Sequence, residues 1–243
     1  MRKADQIELP DGTRAAILYE DRSVLAIDKP AGWMLAPESW AKTSRNLQRA
    51  LMLSVQAREH WARSRNLRYV RFVHRLDAET SGVLLLAKTP GALSVLSRLF
   101  ETRQVRKKYL AVVRGHPPQG KWICRLKIAP APDAPGRMQA DAAGGKQAET
   151  AFAVLRQGRQ SALVEAVPVT GRTHQIRVHL AASGHPVLGD ALYGEKGPVL
   201  ALRAVEIAYL DPFQRRPVRI HAPTEEFLRQ HHFEDFRKPV DIS

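Results

Sequence analysis

In Val73-His74-Arg75-Leu76-Asp77-Ala78-Glu79-Thr80-Ser81-Gly82, a carboxylate stands beside an arginine and directly ahead of an apolar run. A carboxylate can act as a covalent nucleophile when a site positions it and keeps it ionised. Neighbouring cations favour the ionised form, and burial opposes it. The same residues also suit an ordinary turn, with Asp77 accepting from the amides of residues 79 to 81 and Thr80 and Ser81 assisting. Local spacing on its own favours that turn. A hydrolase using Asp77 and Glu79 as paired acids ranks far lower, because two carboxylates so close in a turn need not converge.

Two basic runs flank this segment. Arg58, Arg63, Arg65, Arg68, Arg71 and Arg75 are interleaved with Trp61, Tyr69 and Phe72, and no acid follows Glu59. Arg103, Arg106, Lys107 and Lys108 form the second run. Arginine binds phosphate in a bidentate way, and aromatic rings stack on unpaired bases. Either run alone fits equally well a charged helix face over core aromatics. Two runs around one strand–helix unit favour nucleic acid, and looped or single-stranded RNA suits stacking better than duplex DNA.

The whole chain leans the same way. Its 243 residues include 38 Lys and Arg against 24 Asp and Glu, a formal charge of +14. Such an excess draws polyanions through counterion release. With 44% hydrophobic residues, the chain can bury a core. The single cysteine, Cys124, excludes an internal disulfide and a multi-cysteine metal site. His174 and His179 are five apart, not the four of a helical zinc pair, so metal is not expected. No signal core and no run of about 18 apolar residues appears, so a cytoplasmic protein that does not enter membranes is the expectation. Without a Gly-rich phosphate loop after a strand, no nucleotide cofactor is expected.

Several elements must position the candidate groups. Residues 1–15 are polar and read as an arm, with one domain over 16–243. Val24 to Ile27 is a short strand ended by the Lys29-Pro30-Ala31-Gly32 turn. Ser44 can cap a helix carrying Leu47, Ala50, Leu51, Ser54 and Val55. Residues 83–88 read as a buried strand, followed by Thr89 as N-cap and Pro90 at the first helical position. Leu93, Leu96, Leu99 and Phe100 form that helix's apolar face. Tyr109 to Arg114 is the next strand, and residues 116–149 are short strands and an exposed loop. Strands follow at 150–156 and 161–168. Thr173 caps a helix through Ala182, with Gly184 in the left-handed terminal position. On that helix Ile176 and Leu180 face inward, and Arg177 lies on an adjacent face. A hairpin turns around Asp211-Pro212, and a short helix fits 224–232. Strands and helices without steady alternation argue for α+β with a largely antiparallel sheet.

Residues 74–82 match the His-Arg-Leu-Asp-x-x-Thr-Ser-Gly signature of the RluA-type pseudouridine synthases. The resemblance recurs in Ala26-Ile27-Asp28-Lys29-Pro30-Ala31-Gly32, in Lys107 to Gly115, and in Gly145-Lys146-Gln147-Ala148-Glu149-Thr150. It recurs again in Gly171-Arg172-Thr173-His174-Gln175-Ile176-Arg177-Val178-His179-Leu180, continuing to Gly184-His185-Pro186 and Leu188-Gly189-Asp190. The resemblance implies an α+β pseudouridine synthase fold, a mixed, mostly antiparallel sheet with flanking helices and a basic active-site cleft. It implies isomerisation of uridine in ribosomal RNA, transfer RNA or both, without a cofactor. A monomer is the simplest expectation, with no obligate protein partner evident in the sequence. Asp77 would be the nucleophile. Tyr109 would stack on the uracil, and its hydroxyl could assist proton removal. Arg177 would pair with Asp77 and hold it ionised and aimed, and Arg75 would contact RNA and help extrude the nucleotide. The polar N-terminal arm of about fifteen residues cannot supply an accessory RNA-binding domain, so recognition is expected from the catalytic domain's own surface. Asp28 and Arg203 stand where the family commonly has asparagine and histidine.

Overall fold

Apolar runs broken by turn residues set the element order of the computed structural model, which describes residues 3–35, 45–118 and 120–236. The chain starts with β1 (Gln6–Glu8), β2 (Arg14–Glu20), β3 (Val24–Lys29), α1 (Leu47–Gln56) and α2 (His60–Arg63). Next come β4 (Arg71–Phe72), β5 (Ser81–Ala87), α3 (Pro90–Glu101) and β6 (Arg106–Arg114). β7 (Lys121–Cys124), β8 (Ile128–Pro130), β9 (Met138–Ala140), β10 (Thr150–Gln157) and β11 (Ser161–Pro168) follow. α4 (Gln175–Ala182), β12 (Leu202–Leu210), β13 (Pro217–His221) and α5 (Glu225–Gln230) complete the order. No helix among the described residues is long and apolar enough to cross a membrane.

The chain forms two units. The first is Met1–Lys108 with Ala204–Ala222, and the second is Tyr109–Arg203 with Pro223–Ser243. In the first, strands run in the order β1-β2-β3-β5-β12, with β13 on β12 and β4 on β5. β3 lies antiparallel to β5, pairing Asp28 with Val83 and Lys29 with Gly82. One face of β5 packs Val83, Leu85 and Ala87 with Ala92 and Leu96 of α3, and with Ile207, Val218 and Ile220. Thr89 caps α3 by accepting from the Ala92 amide at 3.1 Å. α1 is capped by Asn46, which accepts from the Arg49 amide at 3.0 Å; Ser44, the expected cap, lies outside the described residues. The segment read as a polar arm carries β1, antiparallel to β2, with Ile7 and Leu9 buried. Two apolar residues at alternate positions are enough to hold a short strand against a longer one.

In the second unit, the order is β6-β11-β10-β7, each pair antiparallel. β8 and β9 form a separate hairpin. That hairpin has only a small core, Ile128, Ala148 and Val178, with Met138 and Tyr193 partly buried against it. α4 starts at Gln175 after His174, which is left-handed (φ 54°) and makes no side-chain cap. Thr173 is therefore not the cap. Gln175 instead ties down the turn that leads into the helix: its Oε1 accepts from the Arg172 amide at 2.9 Å and from the Thr170 hydroxyl at 2.6 Å. Gly184 ends the helix at φ +82° as expected.

Candidate active site

The Asp77 loop belongs to the first unit and is tied down on both sides. Before it, the Val73 amide donates to the Leu85 carbonyl at 3.0 Å, and His74 Nε2 accepts from the Leu85 amide at 3.1 Å. The His74 ring stacks on Phe100 with centroids 4.7 Å apart. Burial, and then Lys107, push its pKa down to about 3, so it serves as a neutral acceptor. After Asp77, the Thr80 amide donates to the Asp77 carbonyl at 3.2 Å, closing a turn. Asp77 is half-buried and Arg75 exposed.

Lys29, at the end of β3, is 0% exposed. Its Nζ donates to the carbonyls of Pro30 at 2.9 Å, Ala78 at 2.8 Å and Thr80 at 2.9 Å. Burial lowers its pKa to about 7, while Glu79 and Asp77 act in the opposite direction. Three carbonyls consume the three protons of an ammonium group. The Gly32 amide donates to Ala78 O at 2.8 Å, so the Lys-Pro turn and the Asp77 loop are stitched together. Behind them, Gly82 (φ +115°) lies so close to the next strand that a Cβ would fall 2.0 Å from the Ala204 carbonyl oxygen. The loop is a fixed platform that holds one half-buried carboxylate, Asp77, beside the exposed Glu79.

The basic runs divide. Arg65 is turned inward, with its side chain 3% exposed; it pairs with Glu20 at 3.0 Å and donates to the Trp61 and Ala4 carbonyls. Trp61 is core, and its Nε1 donates to Ser54 at 2.6 Å. Neither fits the RNA-facing reading: Glu20, already bound by Lys88, compensates the charge, and the indole fills space beside α1. Lys108 is buried beside Glu206 at 3.8 Å. Arg58, Arg63, Arg68, Arg75, Arg103 and Arg106 are exposed.

The second unit holds Tyr109 and Arg177. Tyr109 is buried on β6 opposite Ala166 of β11. Arg177 is buried on α4, with its side chain 3% exposed, deeper than a position beside the helix's apolar face suggests. Its Nε donates to Asp190 Oδ2 at 2.8 Å and its Nη2 to Asp190 Oδ1 at 2.7 Å. Such a fork fixes both charge and plane. Gly189, at φ +77°, brings Asp190 into place; a Cβ there would lie 2.0 Å from the Val199 oxygen. The rest of α4 is anchored by polar groups. Gln175 Nε2 donates to Glu149 O and Thr150 Oγ1, both at 2.9 Å. His179 spans Thr150 Oγ1 and Leu126 O, both at 3.0 Å. The histidine is structural.

A family model described as RNA pseudouridylate synthase matches residues 23–182. This span contains the Lys29 turn, the Asp77 loop, the Tyr109 strand and α4. The chain belongs to the RNA pseudouridylate synthase family. It is an isomerase that converts uridine in RNA to pseudouridine. The ribosomal large subunit pseudouridine synthase C of Vibrio cholerae is 34% identical over 227 residues, 88% of this chain and 67% of that protein. Among solved structures, the human RNA pseudouridylate synthase domain containing 4 superposes with a TM-score of 0.73 at 25% identity, covering 92% of this chain and 94% of that one. The human domain containing 1 gives 0.69 at 30% identity, covering 86% and 83%. These relatives bear out the α+β fold with its mostly antiparallel sheet.

Sequence reasoning about this synthase missed Lys29 and Asp190 as site-building residues, although both lie inside the recognised blocks. The available signal was a charge at the end of an apolar strand for Lys29, and a carboxylate directly after a glycine for Asp190.

Proposed function

We propose that this synthase acts on large-subunit ribosomal RNA, with Asp77 as its nucleophile. The observation that carries the reading is the Lys29-tied loop, which holds one half-buried carboxylate beside exposed Arg75. The ribosomal target is supported by relatives that carry that name. Arg75 contacts the RNA and helps extrude the nucleotide, Tyr109 packs on the uracil, and Arg177 orients the nucleophile. The extruded base needs a pocket shielded from water, because the bond between N1 and the sugar breaks before the C5 bond forms. Isomerisation adds no atoms and makes no net change of oxidation state: the proton at C5 leaves, N1 takes one up in its place, and the Tyr109 hydroxyl assists the removal at C5. The reading puts the enzyme in the cytoplasm, as a monomer, beside the RNA it modifies.

Pseudouridine mapping in total RNA from cells with and without the gene tests the target. One or more sites in large-subunit ribosomal RNA should vanish with the gene. Loss confined to transfer RNA would overturn the ribosomal assignment. Asp77→Asn should abolish turnover and retain RNA binding, and appreciable pseudouridine formation by that variant would sink Asp77 as nucleophile.

A further inference from the structure

Tyr193 lies outside the segment matched by the family model and within the second unit. Its hydroxyl accepts from the Met138 amide, the first residue of β9, at 2.8 Å. The same oxygen is 2.9 Å from His174 Nδ1, at the entrance to α4. Its ring carries two guanidinium groups: Cζ of Arg177 is 5.3 Å from the centroid and Cζ of Arg137 is 5.5 Å. Its backbone amide donates to Asp190 Oδ1 at 3.3 Å, the oxygen that receives Arg177 Nη2. One residue thus touches the β8–β9 hairpin, the start of α4, and the arginine that α4 carries.

We propose that Tyr193 is a positioning residue that makes the orientation of Arg177 depend on the docking of the β8–β9 hairpin. The inference rests on the role given to Arg177 above. Three fully buried residues make a thin apolar core for a hairpin, whose β8 strand is also joined to Lys146 by two backbone hydrogen bonds at Ile128, at 2.8 and 2.9 Å; the β9 side has no such bridge among the described residues. Met138 and Tyr193 complete that core, and the Met138–Tyr193 hydrogen bond is a polar tie across it. The segment between β8 and β9 also bears Arg137, exposed to solvent and resting on the Tyr193 ring. RNA that engages the phosphate-binding face of Arg137 acts on the ring that backs Arg177. Asp190 fixes the plane of the guanidinium, and Tyr193 reports to it whether the hairpin is in place.

Two variants of the full chain test the coupling: Tyr193→Phe, which keeps the ring and loses the hydroxyl, and Tyr193→Leu, which loses both. The substrate is total RNA from cells lacking the gene, so the test does not depend on which RNA is modified. With enzyme in excess, Tyr193→Phe should lower the saturating single-turnover rate about tenfold, as expected for loss of one well-aligned hydrogen bond. The enzyme concentration giving half that rate should move less than about twofold, which separates positioning from binding. Hydrogen exchange at the Met138 amide should accelerate, while α4 amides keep their protection. Tyr193→Leu should lose on the order of 100-fold. If Tyr193→Leu does not fold, Tyr193→Phe decides. A Tyr193→Phe rate equal to wild type, alongside an inactive Arg177→Ala, overturns the coupling alone. An active Arg177→Ala overturns the role of Arg177 beneath it.

Discussion

The two units bury a cation in opposite ways. In the first, Lys29 is caged by three backbone carbonyls, with carboxylates acting only at longer range. In the second, Arg177 is held by a carboxylate in a two-bond fork. A glycine pressed onto neighbouring backbone backs each arrangement: Gly82 on Ala204, and Gly189 on Val199. The chemistry explains the choice. A compact ammonium with three donors can gather three converging carbonyls and so sew two loops together. A planar guanidinium gathers little from scattered carbonyls but matches a carboxylate in shape. Lysine can also lose its proton, and arginine cannot. The first cage is therefore sensitive to pH and the second is not.

Removing the carboxylate should have the largest effect. Asp190→Ala leaves a buried guanidinium without its fork, and should cost about 3–5 kcal/mol in denaturant unfolding. A loss below about 1 kcal/mol would mean that the fork is not what holds Arg177. Gly82→Ala and Gly189→Ala should each cost on the order of 3 kcal/mol, combining a left-handed backbone with overlap against a carbonyl. Unequal losses would show that one backing yields more easily than the other. Lys29→Met should reduce turnover on the order of 100-fold through misplacement of the loop, while RNA binding is retained. A fully active Lys29→Met enzyme would remove the cage from the mechanism.

The pH response sharpens the contrast further. Burial lowers the Lys29 pKa to about 7, so above that pH the unfolded chain holds the proton more tightly than the folded one. Its contribution to stability should therefore rise with pH from about 7 up to the ordinary lysine value. The stability of wild type minus that of Lys29→Met should climb over this window, and a flat difference would contradict the burial argument. Arg177 offers no such window. The smallest effect belongs to an exposed cation outside both cages. Arg75→Ala should weaken RNA binding severalfold and reduce its salt dependence by roughly one contact, as filter binding at several salt concentrations would register.

The elements are readable where a local rule decides them. Thr89 and Pro90 mark the start of α3, and Gly184 marks the end of α4, because caps act over three or four residues. Where partners are distant, the local rule fails. Arg65 looks like any other arginine in its run; Glu20, far off in sequence, turns it inward. Trp61 resembles a base-stacking ring until Ser54 receives its indole proton. Thr173 has the composition of a cap, yet the left-handed His174 and the side chain of Gln175 determine how α4 begins. The site shows the same division. Asp77 stands out in its block, whereas a charge ending an apolar strand and a carboxylate after a glycine mark Lys29 and Asp190 only faintly, because the carbonyls that cage Lys29 and the guanidinium that Asp190 holds come from distant residues.

The first unit is discontinuous, because Ala204–Ala222 belongs with Met1–Lys108. That division sets a timetable for synthesis. When a growing chain has delivered the Asp77 loop, the Ala204 backbone against which Gly82 presses does not yet exist. Neither does Glu206, the partner of buried Lys108, nor Ile207, Val218 and Ile220, which cover the apolar face of β5. The nucleophile's platform therefore reaches its final form only after the whole Tyr109–Arg203 segment has been translated, and in a nascent chain halted before residue 204 the β5 face has α3 but not the β12 and β13 residues to cover it.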